Sequence, residues 1–339
     1  MASASISFEL ELPAPIDFAA SLEIFRRSGD DLLDRWDGRW MLRTVRIGGR
    51  ARAYACEAGG SIDAPCLRVL LENAPDRETV ERIIKRAFLP LGNSFDDVCK
   101  RDPIIARLAQ IHRGFRPVLQ PDLLGALVRC ISAQQVNLKW ASTVRRRLAE
   151  AFGEAHRIGD HIVYSLDPHR LAALRIGDIR ALQFTTGKAE YVINAARAVA
   201  SGELDIEWLD TMADDEVIAR ITAIRGLGLW TAEWILARTL GRPRVSAGDL
   251  GVRKAVGIAY LGGQMPSPDE VRAATAHWGD GAAFAQGLLL HAQHEKTLAT
   301  VISAPSSTAP ITARATGPVA SRSIRASASR KPVRARPGS

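Results

Sequence analysis

The chain is poor in the residues that build metal and redox centres. It has four cysteines in 339 residues, Cys56, Cys66, Cys99 and Cys130, and none belongs to a C-x-x-C pair. Their wide, irregular spacing argues against a zinc site or an iron–sulfur cluster. Their expected role is that of small buried apolar side chains in a reducing compartment. Long apolar runs are also missing: none approaches the ~18 residues of a membrane span, so no membrane is expected as a partner. The opening stretch MASASISFELELPAP has no basic segment followed by an apolar one, so no secretory signal is expected. No internal repeat is present. These absences lead to the expectation of an intracellular, cytoplasmic protein with an ordinary hydrophobic core.

Acidic residues are absent from one region. Residues 301–339 carry Arg314, Arg322, Arg325, Arg330, Lys331, Arg334 and Arg336 and no acid, and the whole chain carries +8. Taking away those seven leaves the rest of the chain near +1. An anion-binding surface on the folded part must therefore come from local placement of donors. The terminal stretch is Ser, Ala, Pro, Thr and Arg, which cannot bury enough apolar surface to offset its ordering entropy. Residues 299–339 are expected to be a disordered basic tail. Such a tail would add salt-sensitive affinity for DNA, or would be a solvated extension without a role.

Two kinds of pattern fill the rest. Ile6, Phe8, Leu10 and Leu12 alternate, which predicts a strand over 5–12. Asp17 can cap a helix with Phe18, Leu22 and Phe25 on one face. Residues 40–47 and 50–57 flank Gly48-Gly49, a two-residue hairpin signal, and 66–72 form another strand candidate before a helix over 76–88. Residues 1–100 thus read as a small α/β domain with an antiparallel sheet. From Asp102 the strand signals mostly stop. Helices fit a stripe of Leu123, Leu127 and Ile131 behind Asp122, and a stripe of Val136, Trp140, Val144, Leu148 and Phe152. Others fit 168–175, 188–201, 214–224, 229–240, 251–260, 268–276 and 282–298. The expected fold is mostly α: a helical domain over 101–298 behind the α/β domain.

The chain is organised around Thr211–Lys254. Val217, Ile218, Ile221 and Ile224 give one helix an apolar face. Arg225-Gly226-Leu227-Gly228 then makes a tight turn into a second helix, with Thr231 in its first turn. Glycines there permit positive φ and close approach, and the amides opening the second helix suit a phosphate. Such a turn also occurs as plain helix–helix packing. Trp230 and Trp234 are i and i+4 on one face. Two indoles so placed serve either as core or as a surface on which a cationic base stacks. Asp249 follows in Ser246-Ala-Gly-Asp-Leu-Gly-Val-Arg253. It can cap the next helix, and a carboxylate there can also serve as a catalytic acid or base.

This combination resembles the helix-hairpin-helix (HhH-GPD) superfamily of DNA glycosylases. The match is carried by Ile224-Arg-Gly-Leu-Gly-Leu-Trp-Thr-Ala232 and by Asp249 at the expected distance. Trp230-Thr231-Ala232 is similar to the DNA-3-methyladenine glycosylase II (AlkA-type) branch. The resemblance implies a helical two-subdomain fold, damaged double-stranded DNA as partner, a monomer, and a nucleoid-associated place in the cell. It implies Asp249 as the essential carboxylate, a base pocket that includes Trp230, Trp234 and Phe284, and a wedge at Gln134 or Gln135 that fills the gap left by an extruded nucleotide. The phosphate-binding hairpin would comprise Arg225, Gly226, Leu227, Gly228 and Thr231. Trp230 stands where the strand-cleaving branch places a Schiff-base lysine, which implies a monofunctional enzyme. No cofactor is required and no side chain announces a metal; a monovalent cation at the hairpin carbonyls is implied by the resemblance alone.

The chain departs from the pattern at Trp278-Gly-Asp-Gly-Ala-Ala-Phe284, where the branch often carries Trp-Arg-Ser, so the far pocket wall is expected to differ. His291 and His294, at i and i+3, are expected to be structural or exposed. The function expected is hydrolytic release of alkylated purines such as 3-methyladenine or 7-methylguanine. Two alternatives stand beside it: the same architecture acting on 8-oxoguanine or hypoxanthine, and a non-catalytic helix-hairpin-helix module that only binds DNA.

Overall fold

The computed structural model describes residues 6–72 and 74–303. Five strands form one antiparallel sheet: β1 (Ile6–Glu11), β2 (Arg35–Trp36), β3 (Trp40–Ile47), β4 (Arg50–Ser61) and β5 (Ala64–Leu71), in the order β1-β5-β4-β3-β2. Alternation fixes the register: Ile6 faces Leu71 and Leu10 faces Leu67, so the apolar set shares one side. Gly48 and Gly49 join β3 to β4 with φ of +56° and +77°, the double positive φ of a two-residue hairpin turn. Asp17 caps Phe18–Leu22 through Ala20 N–H, as its position suggests. That helix and Arg77–Ala87 cover the sheet and bury Leu22, Val80 and Ile84.

Helices form two further cores. One joins Leu123–Ala133, Leu138–Phe152, Thr186–Ala200, Asp214–Ala223 and Leu229–Arg238. The other joins Asn93–Arg101, Pro103–Ile111, Leu250–Tyr260, Ala282–His294 and Thr297–Ser303. Phe95 and Val98 pack in this second helical core, so residues before 101 already belong to it. Asp102 fastens it. Its Oδ1 accepts the amides of Ile104 and Ile105, and its Oδ2 accepts from Tyr260, His277 and the buried Trp278 indole.

Three expectations need correction. β6 (Glu154–Ile158) and β7 (His161–Ser165) form a second antiparallel sheet inside the helical region. They turn at Gly159, and Ile158 and Val163 pack on Leu42, Ala53 and Ala55 of the first sheet. The helix expected over 282–298 ends at His294, Lys296 takes φ +62°, and a new helix starts at Thr297. That last helix also occupies 299–303, where disorder was expected, because Leu298 and Val301 are buried. The rest of the basic tail, 304–339, lies outside the described residues.

An ion-pair network joins the N-terminal segment to the helices. Asp31 Oδ2 accepts from Arg129 (2.9 Å) and Arg145 (2.8 Å), and Arg145 also donates to Ser132 Oγ. Burial alone would raise the Asp31 carboxyl, but the two guanidiniums overcome this and hold it at about 2. A carboxylate depressed in the folded state contributes stability above its unfolded value and loses it as pH falls toward the folded one. We therefore expect Asp31→Ala to lower unfolding free energy by about 3 kcal/mol at pH 7 in urea titrations, since the buried Arg145 loses its carboxylate and keeps Ser132, while Arg129 falls back on Asp34. The difference from wild type should shrink as pH falls from about 4 toward 2.

Candidate active site

The first hairpin helix, Asp214–Ala223, ends at Ile224, and Leu227 N–H closes the turn on Ile224 O. Gly226 has φ +99°, and a Cβ there would lie 2.1 Å from the Tyr191 ring. Both facts require glycine. Gly228 differs: its φ is −97° and nothing lies within 4 Å of where a Cβ would stand, so the space in front of it is open. Most neighbouring helices carry a side-chain cap, among them Asp122, Asn137, Thr185 and Asp205. The second hairpin helix, Leu229–Arg238, has none. Among the described residues its opening amides at Gly228, Leu229 and Trp230 find no acceptor. That leaves donors and the positive helix end aimed at open space, an arrangement suited to a phosphate.

The side chains expected around this turn divide. Arg225 is exposed and pairs with Glu190 at 2.9 Å. Leu227 is buried and anchors the turn in the core. Thr231 is buried too, its hydroxyl without a partner. With both side chains buried, the donors that face outward at this turn are its backbone amides and the exposed Arg225. The carbonyls of Ile224, Arg225 and Gly226 each already accept an N–H, from Leu227, Asn194 and Gln134. Each of these carbonyl oxygens keeps a second lone pair, which a monovalent cation could take.

Asp249 lies across from this helix. Its Oδ1 accepts Val252 N–H (3.0 Å), capping Leu250–Tyr260, and its Oδ2 accepts Trp230 Nε1–H at 3.1 Å. Cap and indole contact coexist on one carboxylate. Ser246 N–H donates to the buried Gln286 Oε1 (2.7 Å), which holds the loop before Asp249 on Ala282–His294. Gln286 escaped the sequence reading, although an amide inside an otherwise apolar helix was the available signal. Cys130 is buried beneath the site; burial first, and the charge of Asp249 as well, push its thiol up, so it stays protonated.

Of the remaining pocket candidates, Trp234 is half-buried against the first helical core. Phe284 is buried with its ring 4.1 Å from that of Phe95, which makes it core rather than pocket wall. At the turn after Leu123–Ala133, Gln134 donates to Gly226 O (3.0 Å) and so ties this turn to the hairpin. Gln135 is exposed with φ +54° and stays available as a wedge. Val136, Leu138 and Trp140 beside it are exposed as well. His291 is buried and stacked on Phe115, and burial with neighbouring His112 and Arg27 pushes it down to about 4.

Comparison with known proteins agrees with this geometry. The model of the HhH-GPD superfamily of base excision DNA repair proteins matches residues 128–280. A DNA-3-methyladenine glycosylase of Bacillus subtilis is 31% identical over 285 residues, spanning 81% of this chain and 93% of its own length. The chain belongs to the HhH-GPD superfamily. Solved members share the fold: a 3-methyladenine DNA-glycosylase from Archaeoglobus fulgidus at TM-score 0.73 and 21% identity, covering 87% of this chain and 98% of that one. An 8-oxoguanine glycosylase/lyase of Clostridium acetobutylicum, in complex with double-stranded DNA, gives 0.66 at 16% identity, covering 88% of this chain and 100% of that one. With the 31% identical relative named a DNA-3-methyladenine glycosylase and matched over 93% of its length, this chain is a DNA glycosylase.

The two hairpin glycines should respond differently to a methyl group. Gly226→Ala should cost about 2–3 kcal/mol of stability through strain and the Tyr191 overlap. Gly228→Ala should change stability by about 0.5 kcal/mol or less, since nothing opposes the methyl. Thermal unfolding of both variants, with duplex-DNA affinity measured alongside, reads this out. Gly228→Ala should weaken DNA binding while leaving the fold intact.

Proposed function

We propose that this glycosylase is monofunctional, of the AlkA-type branch, and hydrolyses the N-glycosidic bond of N-alkylated purines in DNA, leaving an abasic site. The observation that carries the reading is the Trp230–Asp249 contact, 3.1 Å long, beside unpaired hairpin amides. An indole nitrogen has no free lone pair with which to form a Schiff base, so this position supports hydrolysis rather than lyase chemistry.

In the reaction, the bond between C1′ and the purine nitrogen breaks and its electron pair stays on the base. Positive charge builds on the deoxyribose, and the Asp249 carboxylate stabilises it. Water adds to C1′ and yields its proton to Asp249 or to solvent. A 3-methyladenine or 7-methylguanine nucleotide already carries positive charge on the base, so it departs neutral without a strong general acid. The hairpin amides hold the backbone beside the lesion. Gln135 occupies the gap in the stack, which offsets part of the few kcal/mol, roughly, that extrusion costs. Trp230 and Trp234 supply the aromatic surface near the extruded base. The sequence relatives named as 3-methyladenine glycosylases support this choice of lesion.

Asp249→Asn keeps a cap for Leu250–Tyr260 but loses the charge. We expect it to bind lesion-bearing duplex within about threefold of wild type and to release 7-methylguanine at least ~100-fold more slowly, the size of effect seen when an electrostatic stabiliser is removed. Abasic sites counted after alkali treatment provide the measurement. Strand breaks formed without alkali would contradict monofunctionality, and equal release by both proteins would remove Asp249 from the mechanism. A chain that binds duplex yet frees no base from methylated DNA would point to a binding module instead.

A further inference from the structure

The six residues that follow Gln134 are all exposed: Gln135, Val136, Asn137, Leu138, Lys139 and Trp140. Three of them are large and apolar, with Val136 36%, Leu138 55% and Trp140 38% exposed. Single apolar side chains on a surface call for no explanation, but a contiguous group beside a functional turn marks an interaction site. Phosphates have no use for such side chains; the faces of bases and sugars do. Trp140 N–H donates to Asn137 Oδ1 (2.8 Å), which caps the helix. The indole therefore springs from the first turn of Leu138–Phe152, directly behind the wedge turn.

The indole is braced. Arg147, at i+7, lies over the ring with Cζ 5.4 Å from its centroid. Arg147 Nη1 in turn donates to Gln183 Oε1. Gln183 has φ +73°, a backbone that a residue with a side chain keeps only where its surroundings hold it. Lys188, in the helix that follows, donates to Ser132 O (2.9 Å) near the end of Leu123–Ala133. The segment that holds Arg147 is thus fastened to the helix that leads into the wedge turn. Trp140 Nε1–H has no acceptor among the described residues, so Arg147 steadies the ring without using up its exposed area.

The hairpin sets the direction. Gln134 bonds to Gly226 O, so the amides suited to the phosphates of the lesion strand lie on the Gln134 side of the turn. Gln135 separates Gln134 from the apolar run. When a nucleotide is extruded, the base opposite it loses its partner and remains on the other strand. We propose that Trp140 is a positioning residue of this glycosylase: its indole stacks on that orphaned base of the intact strand. The inference rests on the glycosylase reading above and on Gln135 as the wedge. Val136 and Leu138 cover the adjoining sugars, and the exposed Lys139 between Leu138 and Trp140 reaches a phosphate of the same strand. Stacking is indifferent to the identity of the base, since every base has a π face. Trp140 therefore adds affinity whichever base stood opposite the lesion, and leaves the choice of lesion to the other side of the wedge.

Two duplexes test this without any chemistry. One carries a stable abasic analogue opposite adenine; in the other a second analogue replaces the adenine. Trp140→Ala should bind the first at least ~fivefold more weakly than wild type and the second within ~twofold of it, the effect of losing one stacking contact. Trp140→Phe should keep most of the affinity. Equal losses on both duplexes, or no loss on either, overturn the proposal, as does a wild type that fails to bind the first. With 2-aminopurine in place of the adenine, emission should be at least ~twofold brighter in the saturated Trp140→Ala complex than in the wild-type complex, where the indole quenches it. Equal emission overturns the proposal as well. On a 7-methylguanine duplex, Trp140→Ala should raise the half-saturating concentration at least ~fivefold while the single-turnover rate constant stays within ~threefold. A wild type that frees no alkylpurine sinks the functional reading, and the two abasic duplexes still decide the role of Trp140.

Discussion

The contact between Trp230 and Asp249 joins two separate hydrophobic cores. The indole sits on Leu229–Arg238, whose buried side belongs to the first helical core. The carboxylate caps Leu250–Tyr260, whose buried side belongs to the second. A site at such a seam is precise only if each side is stiff. On one side, Gly226 is pressed on Tyr191 and Gln134 bonds to Gly226 O. On the other, Gln286 holds Ser246, and Asp102 gathers Tyr260, His277 and Trp278. Both carboxylate oxygens of Asp249 are then fixed by N–H donors from opposite cores.

The wedge turn depends on the same seam. Because Gln134 is spent on the hairpin carbonyl, the turn that carries Gln135 cannot move independently of the residues that would hold phosphate. Below it, Ser132 accepts from Arg145, and Arg145 pairs with Asp31. The N-terminal segment thus reaches the wedge through charge-assisted bonds rather than through a loop. Positive φ at Gln135 presents its side chain outward from a backbone that is held on both sides.

Local signals made much of this legible in the sequence. The strand alternation from Ile6 to Leu12, the Gly48-Gly49 turn, the caps Asp17 and Asp122, and the spacing of Gly226, Gly228 and Asp249 are all short-range patterns. What escaped notice depends on long-range packing. β6 and β7 are five residues each and are stabilised against Leu42, Ala53 and Ala55, more than a hundred positions earlier. The burial of Thr231, Leu227 and Phe284 follows from which side of each helix meets a core, and a stripe of mixed residues does not fix that side.

The burial of Thr231 and Leu227 has a consequence for specificity. With these side chains withdrawn, the hairpin presents backbone amides and the exposed Arg225, and contacts of that kind to a phosphate backbone carry no sequence or lesion information. The folded part of the chain also has little net charge to hold DNA nonspecifically. Discrimination must then reside where the extruded base is received. Breaking the glycosidic bond moves positive charge from base to sugar whatever the lesion. A carboxylate at Asp249 would meet that charge for every purine alike, so selectivity would rest on which bases reach it.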